Sequence, residues 1–328
     1  MANPMLDVQI LKSDDYCRWD DFVKQHHPQN LFSLSAWVKT MAGLNDAMPV
    51  IIVCAIGEKM VAGLAGALSR RFGIRILEPP MFTPHNGIIA DHDILERIGE
   101  IIIGESILKY LTKICDRLVI INWPGSISLE RIGSMRPKIA LRHTSIIDLQ
   151  DGMASSRGYK PDVRNKINKA NRANIKVIES YDPECLYTLM RKTFSRAEAK
   201  IKLTRGSFCA ALSDINGNNW LRMFLAFKEK MPVAAMAILQ YKGTAYSWLS
   251  ATDPAYYKDG VGPKLTDWIL VKLSSEGFQE FDFMGINIQG IGRYKESFGG
   301  RRAAYISQDY AFGIKGRSFR FIQKVLRG

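Results

Sequence analysis

FDFMGINIQGIGRYKESFGG, residues 281–300, places a short apolar strand directly before a glycine-punctuated loop that carries Arg293 and Lys295. Phe281 and Phe283 alternate around Asp282, the period of a strand with one apolar face. Gly285, Gly290 and Gly292 admit backbone angles or close approaches that a side chain blocks. Open α/β sheets place ligands at the carboxyl ends of their strands, so two cations fixed there suit an anionic or carbonyl-bearing substrate. A structural turn, with Asp282 capping backbone and Lys295 solvated, would leave the same pattern.

Upstream, Ala245–Ala251 (AYSWLSA) reads as a strand and Asp253-Pro254 as the start of a turn. Tyr257–Leu265 (YKDGVGPKL) then leads into an apolar stripe at Leu265, Trp268, Ile269 and Leu273. That spacing is one helix face, with Pro263 in its first turn and Gly277 at its C-terminal cap. The order is strand, glycine loop, helix, strand. Helix N-termini carry unpaired N–H groups and partial positive charge, so Gly260 and Gly262 would let a phosphate reach bare backbone. A tight connection with no ligand has the same signature.

Further out the chain repeats itself. Val50–Leu68 (VIIVCAIGEKMVAGLAGAL) and Leu221–Leu239 (LRMFLAFKEKMPVAAMAIL) each read as an apolar strand, a turn containing Glu-Lys-Met, and a second strand rich in small residues. From Glu58 to Glu229 the offset is 171 residues, as expected of duplicated units, although two ordinary hairpins could coincide. Helical patterns flank each copy: Ile94, Leu95, Ile98, Ile101, Ile102, Leu108 and Leu111 in the first half, and Leu186, Leu189, Met190, Phe194 and Ala197 after Asp182-Pro183 in the second.

The ordered series from Ser145 to Arg301 resembles the FemAB-type branch of the GNAT acyltransferase superfamily. It consists of the IIDL strand, the basic helix VRNKINKANRANIKV, a hairpin, AYSWLSATDPAYYKDGVGPKL, GFQEFDFMGIN and IGRYKESFGGR. The N-terminal part, including NLFSLSAWVK at residues 30–39, agrees more loosely. The resemblance implies an α/β protein of two tandem GNAT-like units, each a mixed, mainly antiparallel sheet flanked by helices. It divides the chain into 1–144, a scaffold contributing part of the acceptor cleft; 145–312, the catalytic unit; and 313–328, a basic amphipathic tail helix.

It also implies transfer of an acyl or aminoacyl group to an amine, with acyl-CoA the favoured donor and aminoacyl-tRNA the alternative. The acceptor it points to is an amine on a cell-envelope peptide or nucleotide sugar. Tyr257, Lys258, Gly260, Gly262 and Lys264 are the candidate donor-binding residues. CoA-binding relatives have Gln or Arg where this chain has Tyr257, so Lys258 or Lys264 must supply the charge. In such folds the donor lies between two splayed strands, here Ala245–Ala251 and Phe278–Met284, with a backbone N–H near Trp248–Ser250 receiving the carbonyl oxygen. Lys295 leads as the side chain holding an anion or stabilising developing charge. Asp282 is a candidate for amine positioning or proton acceptance, and Tyr246 for proton donation to the leaving group. Trp37, Lys39, Arg164, Trp248 and Arg293 complete the candidate substrate contacts. Family members carry a lysine one turn after the tryptophan matched by Trp37, whereas Lys39 lies only two residues on.

Composition bounds the alternatives. With 328 residues and 47% hydrophobic content the chain can build two substantial α/β cores. It shows no signal-peptide pattern and no run approaching the ~18 apolar residues that span a membrane, so a cytoplasmic location is expected. Five scattered cysteines and five histidines form no disulfide framework or metal-ligand spacing. Of the net charge of +13, Arg157–Lys176 contributes +6 and Gly313–Gly328 contributes +5. That concentration suits a polyanionic partner: tRNA, an anionic or nucleotide-linked acceptor, or a membrane surface touched peripherally by the tail. A solvated helix face has the same composition. A non-catalytic RNA-binding module on this fold is the remaining alternative. A dinucleotide-dependent oxidoreductase is disfavoured, because neither GVG nor GIG completes a G-x-G-x-x-G series opening a helix after a strand.

Overall fold

The computed structural model describes residues 5–124, 135–150, 158–196 and 203–325. In chain order the first part contains β1 (Asp7–Ile10), α1 (Tyr16–His26), α2 (Ser35–Gly43), β2 (Met48–Ile56), β3 (Lys59–Arg71), β4 (Ile74–Glu78), β5 (Ile89–Ala90), α3 (His92–Ile98), α4 (Glu100–Ile114), β6 (Arg117–Ile121) and β7 (Lys138–Asp148). There follow α5 (Pro161–Arg172), β8 (Ile175–Glu179), α6 (Pro183–Arg196), α7 (Arg205–Gly217), β9 (Leu221–Lys228), β10 (Met231–Tyr241), β11 (Thr244–Thr252), α8 (Val261–Ser275), β12 (Glu280–Asp282), α9 (Gln289–Glu296), β13 (Arg301–Ala311) and α10 (Gly313–Val325).

The chain divides into two compact units: His143–Ala303, and the described residues on either side of it. Strand order is β1-β2-β3-β4-β6-β13 in the first unit and β8-β9-β10-β11-β12-β7 in the second. In both, two helices follow the first strand and a hairpin comes next. One neighbouring pair in each is parallel, β4 with β6 and β11 with β12. These are tandem GNAT-like units, each a mixed, mainly antiparallel sheet with helices on its faces.

The duplicated hairpin extends to a shared irregularity. Each turns through two residues, pairing Ile56 with Lys59 and Lys228 with Met231. Each second strand then bulges at a valine, Val61 or Val233, which the register skips and which is fully buried. A bulge adds one residue and sharpens the local twist, so sharing it is a stronger sign of duplication than the Glu-Lys-Met triplet. The two valines are 172 residues apart, so matching the triplets misplaces the copies by one: Glu58 is the second residue of its turn and Glu229 the first.

The sixth strand of the first unit, β13, follows the whole second unit in the chain, whereas that of the second unit, β7, is the strand that opens it. β6 pairs antiparallel with β13, matching Ile121 to Ser307 and Arg117 to Ala311. β12 pairs antiparallel with β7, matching Asp282 to Ile146 and Glu280 to Asp148. The expected cuts at 144/145 and 312/313 assume contiguous units. Instead α10 belongs with the first unit, where Gly316 lets its backbone press on the Asp116 carbonyl.

Each core forms where helix stripes meet the sheet. In the first unit Ile103, Ile107, Leu108 and Leu111 of α4 bury against Ile52, Leu64, Leu77 and Leu118. The helical pattern from Ile94 to Leu111 divides at Gly99, whose φ of 94° ends α3 and starts α4. In the second unit Leu265, Ile269 and Leu273 of α8 and Val163, Ile167 and Ala170 of α5 cover Phe224, Phe281 and Phe283. Burying one such phenylalanine contributes about 2–3 kcal/mol. Phe194 and Ala197, from the stripe after Pro183, lie outside the described side chains.

Candidate active site

The second unit opens where β11 outruns β12. β11 pairs with β12 only through Thr244–Glu280, Ala245–Phe281 and Tyr246–Asp282, then continues to Thr252. Two residues past the last pair, the register of β11 with β10 jumps from Ser247–Ile238 to Leu249–Ala237, leaving Trp248 as a bulge. Bulges re-aim strands and free backbone groups at the edge. The bulged strand beyond Tyr246 and the abrupt end of β12 leave a gap between two parallel strands at their carboxyl ends, the position where such sheets take ligands. Tyr246 lies beside Asp282 in the register, and burial together with that carboxylate pushes its phenol above the ordinary range, so it keeps its proton at neutral pH.

Next to the gap, Asp253 turns the chain by accepting the Ala255 N–H at 3.1 Å and pairs with Lys192 at 2.7 Å. A 3-10 turn, Pro254–Asp259, and left-handed Gly260 (φ 75°) lead into α8. Lys264 N donates to Gly260 O at 3.1 Å and Pro263 has no N–H, so only the Val261 and Gly262 amides precede the first helical bond. The two glycines differ in use. At Gly260 a Cβ would overlap the Lys166 carbonyl of α5, so this glycine serves helix packing, a correction to its expected role in phosphate approach. A Cβ at Gly262 would meet Tyr294 Oη at 3.5 Å and Thr252 Oγ1 at 3.6 Å, ordinary contact distances. No neighbour demands glycine there. Tyr257 and Lys258 are exposed and Lys264 half-buried, while Asp259 pairs with Lys228 at 2.9 Å.

Residues 289–296, read as loop from their glycines, form α9. Gly292 is where α9 lies against the preceding segment, since a Cβ there would overlap the Ile286 carbonyl. Lys295 points inward. Its Nζ donates to the carbonyls of Phe283 at 2.6 Å, Met284 at 2.9 Å and Gly285 at 3.0 Å, which uses all three ammonium hydrogens. Burial pushes its pKa down to about 8, against the pull of Asp282. The carbonyls converge because Met284 (φ 53°) and Gly285 (φ 73°) are both left-handed. Asp282, also buried, accepts from Thr144 Oγ1 and from Met284 N at 2.7 Å, and Gly285 N donates to Thr144 Oγ1 at 3.2 Å. Burial raises the Asp282 pKa. Asp282, Thr144 and Lys295 thus fix the turn that ends β12. Lys295, expected to meet an anion, is spent on backbone, whereas Arg293 on the same helix is exposed.

The remaining sequence candidates disperse. Trp37 is fully buried and its Nε1 donates to Thr83 Oγ1 at 2.9 Å, which removes it from substrate contact and makes it core. Lys39 is exposed, its Nζ 5.1 Å above the Tyr16 ring. Arg164 on α5 donates to the Tyr159 carbonyl at 2.6 Å, and Lys166 pairs with Asp162 at 2.7 Å. Arg157 lies outside the described residues. Sequence reasoning missed Thr144, Tyr159, Thr266, Asp267 and Tyr294. Tyr294 Oη and Thr266 Oγ1 are 2.9 Å apart beneath the start of α8, and burial pushes the Tyr294 phenol up to about 12. Tyr159 has a buried hydroxyl near the Asp267 carboxylate without hydrogen-bond geometry, and burial raises Asp267. Only the YK pair ahead of ESFGG hinted at any of them.

Among the described residues no group of three His, Cys, Asp or Glu side chains could hold a metal ion, and no helix is long and apolar enough to cross a membrane.

Residues 157–296 match the acetyltransferase (GNAT) domain family. No curated protein matches the chain in sequence. Among solved structures the chain is similar to FemX (TM-score 0.63, 12% identity, 96% of this chain and 99% of that one). It is also similar to L-PGS from Bacillus licheniformis (0.58, 12%, 92% and 93%) and to a tandem GNAT protein from the clavulanic acid biosynthesis pathway (0.55, 12%, 94% and 99%). At these identities the likeness is one of fold.

Proposed function

We propose that the protein, whose residues 157–296 match the GNAT acetyltransferase domain family and whose fold is similar to that of FemX, transfers an acyl group from acyl-CoA to an amine. The observation that carries this reading is the divergence of β11 from β12 at bulged Trp248, with Gly262 at the start of α8 near Thr252 at the end of β11.

The residues fit a thioester donor at its phosphates and at its carbonyl. Val261 and Gly262 offer amides at the positive end of α8, and Lys258 and Lys264 supply charge. The two acids of the loop are already paired, Asp259 with Lys228 and Asp253 with Lys192. A thioester brings an already activated carbonyl. The chain therefore has to orient the amine, stabilise an oxyanion and manage one proton. Orientation contributes about 7–11 kcal/mol of barrier reduction, and an oxyanion donor, assigned here to a β11 backbone N–H between Trp248 and Ser250, about 3 kcal/mol. Tyr246 is held as a phenol and is the proton donor to the departing thiolate, and the proton lost by the attacking amine restores the phenol. Asp282 and Lys295 act as positioning residues: they hold the turn that keeps the strands apart. Trp248, at the bulge, and exposed Arg293 are the substrate contacts in this reading. The acceptor is an amine on an anionic or nucleotide-linked cell-envelope precursor, a reading that rests on the FemAB-type motifs.

A second donor, aminoacyl-tRNA, is favoured by the packing of α5 against Gly260, which narrows the phosphate approach and sets a basic helix beside it. Calorimetry with acetyl-CoA separates the two. Saturable binding weakened by Gly262→Ala and Lys264→Ala, with thermal stability unchanged, supports the CoA reading. Absence of binding at low salt, with retention of aminoacyl-tRNA, refutes it in favour of the second donor.

A further inference from the structure

A cavity of about 600 Å³ lies in the first unit, where β13 runs into α10, well within the size range of small-molecule sites. Apolar Phe312, Tyr310 and Met135 line it together with three arginines, Arg136, Arg317 and Arg320. One acid, Asp116, also lines it.

That acid is already spent. Asp116 accepts from Arg75 N at 2.8 Å, Nε at 3.2 Å and Nη2 at 3.1 Å, and this partner holds its carboxyl below the usual range. Next to Tyr310 in the chain, the Asp309 carboxylate is bridged by Arg117 at 2.9 and 3.0 Å, and its backbone carbonyl accepts from Arg320 at 3.2 Å. Among the described residues Arg136 and Arg317 have no ion-pair partner. Three arginines thus line one hollow whose single lining acid is already paired with Arg75, an arrangement that favours an anion entering it.

The geometry points to this cavity as a binding site for a phosphate-bearing anion. Guanidinium groups present paired donors that match phosphate oxygens, and several can share one dianion, whereas a carboxylate satisfies fewer. The apolar lining and the volume suit a ligand that extends beyond the phosphate itself. The phosphate belongs to either a soluble phosphoester or a lipid headgroup; the chemistry at the arginines is the same. This site is separate from the acyl-transfer reading of the second unit, and its test does not depend on turnover.

The experiment is calorimetric titration of the full chain, without acyl donor, using inorganic pyrophosphate and vesicles of phosphatidylcholine with or without phosphatidylglycerol. Arg136→Gln and Arg317→Gln, both at exposed positions, are compared with Lys24→Gln, and unchanged thermal midpoints establish that the variants fold. Saturable one-to-one pyrophosphate binding, weakened roughly tenfold by each arginine change and untouched by Lys24→Gln, is the expected result. Vesicle binding that requires phosphatidylglycerol and is displaced by pyrophosphate assigns the ligand to a headgroup. Pyrophosphate binding without vesicle binding assigns it to a soluble phosphoester. If neither probe saturates, or the arginine variants bind as the parent does, the assignment is wrong.

Discussion

Replacing Lys295 by Met separates a lysine that touches substrate from one that ties backbone. Its Nζ holds three carbonyls between 2.6 and 3.0 Å. Hydrogen bonds to a charged group contribute roughly 1.5–3 kcal/mol each, a gross sum of about 4–9 kcal/mol. Several kcal/mol of that is offset by the cost of burying an ammonium. The net loss expected for Lys295→Met is about 3 kcal/mol. Exposure should concentrate in the turn, so hydrogen exchange at residues 283–288 accelerates before global unfolding does. Lys295→Arg should fare little better, because a planar fork cannot reproduce three convergent bonds. The pH dependence has a definite sign. With the folded pKa near 8 and the unfolded one near 10.4, unfolding takes up a proton between those values, so the parent gains stability as pH rises through that window, by at most about 3 kcal/mol. Lys295→Met lacks the gain. Chemical denaturation from pH 7 to 10.5 reads both effects. A Met variant of unchanged stability with turnover lost, and partial rescue by Arg, would refute the tie and restore Lys295 to substrate.

Gly260→Ala should destabilise by more than ~2 kcal/mol, since a left-handed φ and overlap with the Lys166 carbonyl combine. Gly262→Ala should leave the thermal midpoint in place and raise the donor Kd. Trp37→Ala should cost about 3–5 kcal/mol in denaturant unfolding, with kcat per folded molecule retained; lost turnover in a stably folded variant would return Trp37 to the site. Glu276, held down to about 2 by Arg222 and Lys272, contributes stability that is complete above its unfolded pKa near 4.3 and disappears as pH falls toward 2. Glu276→Gln should flatten that acid limb in a pH series of thermal scans.

How much the sequence disclosed depended on the kind of signal. The α8 stripe at Leu265, Trp268, Ile269 and Leu273 has a period that only a helix satisfies, and Pro263 and Gly277 marked its ends, so its place in the fold was legible. The hairpins were visible too, but their exposed turns tolerate a one-residue slide that only the buried valine bulges expose. Glycine misled twice. At Gly260 and Gly292 it admits another stretch of the protein's own backbone, and a sequence does not distinguish that from a ligand. Lys295 was found and its partner class mistaken, because carbonyls converging through left-handed Met284 and Gly285 leave no trace in residue type. Trp37 belongs to a short helix whose stripe faces inward, and an aromatic in such a stripe reads alike as core or contact. The return of β13 to the first unit was invisible, since its strand pattern suits either unit.

The pairing of β6 with the distant β13 governs how the protein comes off the ribosome. β6 is complete once Ile121 has been synthesised, yet the strand that pairs with it, Ser307–Ala311, begins only 186 residues later. At ~5–20 residues per second, the nascent first unit carries an unpaired strand edge for roughly 10–40 s, an invitation to pair with another chain. An N-terminal fragment ending near residue 144 would keep that edge permanently and should precipitate or recruit chaperones, however well its helices cover the rest of its core.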